Sequence, residues 1–481
     1  MPITDFSKPY GDASRYGATG DGSTDDRSAI NTANSVGPFF LTRGTYSVQS
    51  DLTISSRCTF QPGAILKPAS GKTITFTTAF VAANAGQIFD LSAGGSIALP
   101  RDTSHVFADW WGAQGNGDLG IGTGAKADNE TPINQAINAL AATAGGTYGG
   151  EVHLLRGTYY ISGNVALKDE IAINGQGKFF TNIIAAPGAF GAATNMITVQ
   201  NGTSSLFNSP VKNCRISANN DGNITACIYA PAWQEKSGSD NLWIENFKQY
   251  GILIDNNYGG SAQLTLSQTE IFQGVDCFSG SRSIKIDATT YSVGWLTVNL
   301  KEVQCGSSLA TVTFTGFISA AATSATLSAN WTHASGAWWV TFSNGENRAV
   351  TLTNGATTAT WSGGLSSGAT ANATGVNPNT CGIDADGRVI LNIDDVHFEQ
   401  TQIGILLNHD ANLIGDSLKS DGTGTVQKLV QCSAAWTGQI NMRAMKRAGS
   451  TTYILDNSRG PYALANVEPY DGITIWPPSP S

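Results

Sequence analysis

At 481 residues the chain is too long for one ordinary compact core, so two or three units or a solenoid growing along one axis are expected. Gly is abundant at 55 and charged residues make up only 13%, which describes a β-rich surface of Ser, Thr, Asn and Gly. A net charge of −9 with no basic stripe argues against nucleic acid, and no apolar run is long enough to span a bilayer, so membrane insertion is not expected.

The opening MPITDFSKPYGDASRYG has no basic segment followed by an apolar one, so no secretory leader is expected and synthesis is expected to finish in a cytoplasm. Two segments then repeat each other. The first reads YGATGDGSTDDRSAI (Tyr16 to Ile30) and LTRGTYSV (Leu41 to Val48). The second reads WGAQGNG (Trp111 to Gly117), ETPINQAINAL (Glu130 to Leu140) and EVHLLRGTYYI (Glu151 to Ile161). Each gives a Gly-rich turn, a capped short helix and a strand carrying R-G-T-Y. Thr24 or Asp25 is the expected N-cap of the first helix. Capping also accounts for the Asp25-Asp26 pair without catalysis.

The pattern YGATGDGSTDD…AI…RGTY resembles the opening motif of the pectate-lyase-like β-helix superfamily, which includes phage tailspikes and capsule depolymerases. Gly63 to Ile97 resembles a segment common in tailspikes, and the resemblance covers about the first 165 residues. The second copy departs from it, with Asp128-Asn129-Glu130 in place of the aspartate pair. The resemblance implies an all-β right-handed parallel β-helix with short N-terminal helices. It also implies a parallel homotrimer in a virion tail, attached to a phage tail or baseplate protein and acting on a bacterial surface polysaccharide.

From about Asn195 onward, short apolar-alternating runs share one pattern: an apolar residue, two polar or small turn residues, then an apolar residue. It occurs at Val211-Lys212-Asn213-Cys214, Ile244-Glu245-Asn246-Phe247, Leu300-Lys301-Glu302-Val303, Ile393-Asp394-Asp395-Val396 and Met442-Arg443-Ala444-Met445. Gln268-Thr269-Glu270-Ile271 is a weaker member. Steps of 33, 24 and 32 residues from Cys214 to Val303 are coil-length spacing for a β-solenoid. A β-sandwich would lack the recurring arc. The 93-residue step from Val303 to Val396 is too long for one coil. Its surplus holds only two charged residues between Ser307 and Asn379, Glu346 and Arg348. Asn344-Gly345 and Asn354-Gly355 there are flanked by alternating runs, the signature of hairpins, so a small antiparallel β module is expected over roughly 310–376. Within it, Trp338-Trp339 puts one ring on each face of a strand. The expected division is 1–108 as an N-terminal domain, 109–306 as the main helix, 307–379 as the inserted module and 380–481 as the last coils and cap.

Polysaccharide hydrolysis needs two carboxyl groups facing one groove, and outward positions on successive coils stack at ~4.8 Å. The arc column reads Asn246, Glu270, Glu302 and Asp395, which makes Glu302 and Asp395 the expected acid/base pair and Glu270 the third catalytic candidate. His397 and Glu399 alternate outward beside Asp395. Trp243, Trp295, Tyr258 and Tyr291 lie in the same central coils and are the expected sugar platforms. The competing reading of these arc residues is structural, because turns favour Asn and acidic residues for their own backbone.

The histidines (105, 153, 333, 397 and 409) show no HxH or HExxH, no spacing of Asp384, Asp386, Asp394 and Asp395 demands calcium, and no metal or cofactor is expected. Seven cysteines without CxxC are expected as small core residues. The expected activity is endo-glycosidic hydrolysis of capsule or O-antigen. The alternatives are a lyase on a uronic-acid polymer, for which Lys248, Lys285, Lys301, Arg282 and Arg388 are the available cations, and a binding-only tail protein.

Overall fold

The computed structural model describes residues 5, 7–82, 86–100, 102–115, 128–143, 149–199, 209–231, 233–235, 237–255, 262–290, 294–378, 380–420, 426, 428–446, 453–456 and 475–476. The chain forms two compact units, one of residues 1–183 with 208–214 and the other of 184–207 with 215–481.

In the first unit the alternating segments form three parallel three-stranded sheets. One contains Asp21–Asp25, Gly44–Val48 and Ala64–Pro68. The second contains Phe39–Leu41, Cys58–Phe60 and Val81–Ala82, and the third Leu52–Ile54, Thr73–Phe76 and Ser96–Ala98. Every second residue points inward, so Leu41, Val48, Ile54, Leu66 and Ile74 are buried around Phe60, Phe76 and Phe89. The two copies of the repeat share one construction. Thr45 donates its N–H to Gly20 O (2.8 Å), and Thr158 donates to Gly115 O (3.2 Å). The glycine of each R-G-T-Y lies where a Cβ would collide with that same carbonyl, at 2.7 Å for Gly44 and at 1.8 Å for Gly157. The motif therefore records a close backbone crossing.

The first helix, Arg27–Val36, starts later than the sequence suggests. Thr24 and Asp25 belong to a strand, and the N-cap is Asp26. The buried Asp26 carboxylate is used by the Gly-rich turn, accepting from Thr19 N (2.6 Å) and Gly20 N (3.2 Å). Asn129 does the same before the second helix, Glu130–Thr143, accepting from Gln114 N (2.6 Å).

The second unit is a right-handed parallel β-helix, the crossover sense that parallel strands almost always take. One of its sheets runs through Gly238–Phe247, Ala262–Ser267, Leu296–Ser307, Val389–Phe398, Asn412–Ser420 and Ile440–Lys446. Another runs through Thr194–Val199, Ile224–Tyr229, Tyr250–Asp255, Arg282–Ala288, Cys381–Gly387, Ile403–Asn408 and Lys428–Cys432. Inward columns stack like on like: Leu264, Val298, Leu391 and Leu413 in the first, and Ile252, Ile284, Ile383, Ile405 and Val430 in the second. All are buried, each contributing ~1.5–3 kcal/mol by leaving water. The seven cysteines are buried, and none is in a disulfide.

Leu296–Ser307 pairs directly with Val389–Phe398, so the 93-residue step interrupts a loop and leaves the ladder intact. The insert is a six-stranded antiparallel sheet whose first and last strands, Ala310–Thr313 and Asn372–Val376, pair with each other. Both Asn-Gly turns join antiparallel neighbours, Gly336–Phe342 to Asn347–Leu352 and Asn347–Leu352 to Thr358–Trp361. The module has its own core of Phe314, Trp331, Trp338, Phe342 and Trp361. Trp338 is buried while Trp339 on the other face is half-buried.

Candidate functional site

The coils turn at single residues in the left-handed backbone region. In the second unit these are Asn241 (φ 49°), Gln268 (46°), Glu302 (53°) and Asp395 (54°). The registers Ser267↔Lys301↔Asp394 and Val303↔Val396 bracket Gln268, Glu302 and Asp395 as one column. Asp240↔Ser267 and Trp243↔Glu270 bring Asn241 into it. Two members read from sequence are thereby corrected. Asn246 (φ 55°) is a second left-handed residue at the end of its strand, five positions beyond the arc. Glu270 lies two residues past the arc, in register with Trp243 and Gln304. The reason is that Gln268, not Glu270, takes the left-handed turn.

Glu302 and Asp395 do occupy the same position on consecutive coils. Glu302 is exposed and accepts from Gln268 Nε2 (3.1 Å). Asp395 is paired with Lys419 Nζ (2.7 Å). The adjacent outward column is Trp243, Glu270, Gln304, His397 and Lys419. Val396 and Phe398 are buried, which turns His397 and Glu399 outward as expected, both half-buried. Glu302 and Asp395 thus stand in the arc column and Trp243, Glu270 and His397 in the column just beyond it, while Glu399 lies two residues past His397.

The tryptophans face outward between buried neighbours, Leu242 and Ile244 for Trp243, Leu296 for Trp295. Trp243 is already engaged. Its Nε1–H donates to Glu245 Oε2 (2.9 Å), and its ring lies 5.5 Å from that of Phe272. Trp295 stands just ahead of the strand Leu296–Ser307, seven residues before Glu302, and lines a groove of about 520 Å³. Between them, on the outer face of the same sheet, Asn392 donates to Asn299 Oδ1 (3.0 Å). Tyr258 and Tyr291 lie outside the described residues.

Two polar clusters were not singled out from sequence. In the second unit, buried Asp384 accepts from Arg282 Nε (2.8 Å), Lys285 Nζ (3.2 Å) and Asn408 Nδ2 (2.9 Å). Its charge is consumed by these partners. In the first unit, Glu151 accepts from Lys212 Nζ (2.6 Å) and Asn174 Nδ2 (2.8 Å), and His153 Nε2 lies 2.9 Å away. Burial pushes the Glu151 carboxyl up, but the bonds from Lys212 and Asn174 prevail and hold it at about 2. Both clusters need residues far apart in sequence, so spacing gave no sign of them. No group of three or more His, Cys, Asp or Glu side chains suited to a metal ion occurs among the described residues.

No family model and no curated protein matches this chain. Solved structures similar to it include ORF18 of Geobacillus virus E2, at 12% identity and TM-score 0.33, covering 73% of this chain and 59% of that one. This chain therefore spans under two thirds of that protein. The N-terminal fragment of bacteriophage Phi29 gene product 12 is similar at 12% identity and TM-score 0.36, covering 92% and 71%. The catalytic unit of the GH87 α-1,3-glucanase of Streptomyces thermodiastaticus is similar at 10% and 0.34, covering 92% and 70%. Likeness this distant carries nothing about activity. The fold assignment rests on the sheet registers, and on them the chain is a right-handed parallel β-helix protein.

Proposed function

We propose that this protein is a phage tailspike that binds a bacterial capsule or O-antigen polysaccharide and cleaves it by endo-glycosidic hydrolysis, with Glu302 and Asp395 as the acid/base pair. The observation that carries the reading is their common position: two carboxylates, on consecutive coils, at the same solvent-facing turn. We assign the proton-donor role to Glu302, which faces an amide, and the base or nucleophile role to Asp395, which faces a cation. Hydrolysis then moves a proton from Glu302 to the leaving glycosidic oxygen as Asp395 bonds to the anomeric carbon, and Glu302, now a base, takes a proton from the water that displaces Asp395. Coil stacking at ~4.8 Å is nearer the ~5–5.5 Å of retaining pairs than the ~6.5–9.5 Å of inverting ones, so retention is the expected stereochemistry. Glu270 and His397, one column away, are assigned to sugar binding together with Trp243, Trp295 and Glu399.

Product analysis on the host's surface polysaccharide tests this reading. New reducing ends of retained configuration are expected. Unsaturated ends absorbing in the ultraviolet would replace hydrolysis by β-elimination, and binding without any product would leave a receptor-binding protein. We propose further that the chain assembles as a parallel homotrimer on a phage tail, as the resemblance implies. Light scattering that gives a single-chain mass of 50.2 kDa would contradict it.

A further inference from the structure

Five arginines of the second unit are described, and four of them face a carboxylate. Arg215 pairs with Glu245, Arg282 with Asp384, Arg348 with Glu346 and Arg443 with Asp416. Arg388 has no carboxylate partner among the described residues, although the chain carries nine more negative than positive charges. It lines the same groove as Trp295. Leu296 and Val389 are paired and Leu296 N donates to Arg388 O (3.0 Å), so Trp295 and Arg388 hold the same position on consecutive coils. The pairing of Ile390 with Asn412 places Asp410 at that position on the next coil. Asp410 is turned to other use: its Oδ1 accepts from Thr437 Oγ1 (2.5 Å). Ile390 and Ile414, the latter 39% exposed, supply apolar surface beside the column.

We infer that this indole–guanidinium column is a subsite for an acidic sugar unit, a uronate or a related carboxylate-bearing residue. The inference rests on the polysaccharide reading above and specifies what polymer fits it. A guanidinium binds a carboxylate through two parallel N–H···O bonds, and one that no described carboxylate engages can do so. The indole offers a flat face to the sugar C–H groups alongside. Asp410, one coil further, repels an anion shifted past Arg388 and so fixes the register of the acid. Arg388 and Asp395 lie seven residues apart on one extended run, about 23 Å at ~3.3 Å per residue. The acid recognised is thus several sugar units from the cleaved bond, and the column reads the polymer's repeat without taking part in the reaction.

The test uses the full chain on immobilised hyaluronate, polygalacturonate and polysialic acid, each beside its carboxyl-reduced form. The wild type is expected to bind at least one acidic polymer tenfold or more tighter than its reduced form. Arg388→Gln should lose that preference while keeping its melting temperature and its binding to the reduced form. Arg388→Lys should restore part of it, and Trp295→Ala should weaken both forms together. Equal binding of acidic and reduced polymer by the wild type, or an unchanged preference in Arg388→Gln, overturns the inference and leaves the polysaccharide reading standing. Binding to none of the polymers in either form likewise overturns the inference, while cleavage of the host's surface polysaccharide tests the polysaccharide reading separately.

Discussion

The inserted module and the coils around it solve the same backbone problem with different residues. Both need left-handed turns. The module uses Gly345, Gly355 and Gly363 for them, with Ala321 the exception. Glycine adopts that conformation without steric cost. The coils use Asn241, Gln268, Glu302 and Asp395 at their arc. Asn and Asp tolerate the conformation, whereas a residue such as Glu gives up ~1–2 kcal/mol there. Charge is handled differently as well. The module's Glu346 is satisfied internally, by Arg348 (2.6 Å) and the amides of Ser366 and Ser367. At the arc, Glu302 is exposed and meets one amide. A carboxylate kept at a position its backbone disfavours, and left open to solvent, points to chemistry.

The largest effect that sharpens this contrast is on rate. Glu302→Gln and Asp395→Asn should each fold and bind polymer yet lose ~10³-fold or more in cleavage. Glu346→Gln in the module should leave cleavage unchanged, and an equal loss there would erase the distinction. In stability the module carries the larger single residue. Trp338 is buried against Trp331 at 4.9 Å, so Trp338→Ala should cost ~3–5 kcal/mol. Hydrogen exchange should show that loss in 310–376 and not in the coil ladder.

Deleting Thr311 to Val376 should cost the coils less. Leu296–Ser307 and Val389–Phe398 already pair, and the lost contacts are few: Val275 against the module core, the His333–Asp276 contact at 2.7 Å and the bond that Gln402 Nε2 donates to Ala337 O (3.2 Å). A destabilisation of ~1.5–3 kcal/mol, the burial of one apolar side chain, is expected, and insoluble protein on deletion would show a deeper dependence. The smallest effect is on acid stability. The Ser366 amide and hydroxyl, then the Ser367 amide and Arg348, hold Glu346 at about 2. A carboxyl lowered on folding stabilises above its ordinary value near ~4.3 and loses that contribution as pH falls towards 2. Module melting should therefore drop over that window, and Glu346→Gln should flatten the drop.

Much of this was legible in the sequence. Leu300-Lys301-Glu302-Val303 and Ile393-Asp394-Asp395-Val396 identify their arcs because each strand offers only one polar pair between apolar residues. The strand Gly238–Phe247 offers two, Asp240-Asn241 and Glu245-Asn246, and both Asn241 and Asn246 are left-handed. Alternation cannot choose between them, but coil length can. Taking Leu242 and Thr269 as the residues after the arc gives steps of 28, 27 and 34 from Cys214 to Val303, more even than 33, 24 and 32. The same regularity would have moved Glu270 out of the arc. The Glu151–Lys212 and Arg282–Asp384 pairs were not legible, since which charges meet depends on register between distant coils. For the same reason Arg388 looked like any other cation: its distinction is that no carboxylate among the described residues pairs with it.

The central claim is that Glu302 is kept at the arc for chemistry and at the expense of the fold. Glu302→Asn tests it in one sample, by following thermal unfolding and cleavage of the host polysaccharide together. Asn suits the left-handed turn, so the account predicts a coil stabilised by ~1 kcal/mol that no longer cleaves. A variant that cleaves at the wild-type rate would contradict it and return the arc carboxylates to a structural role.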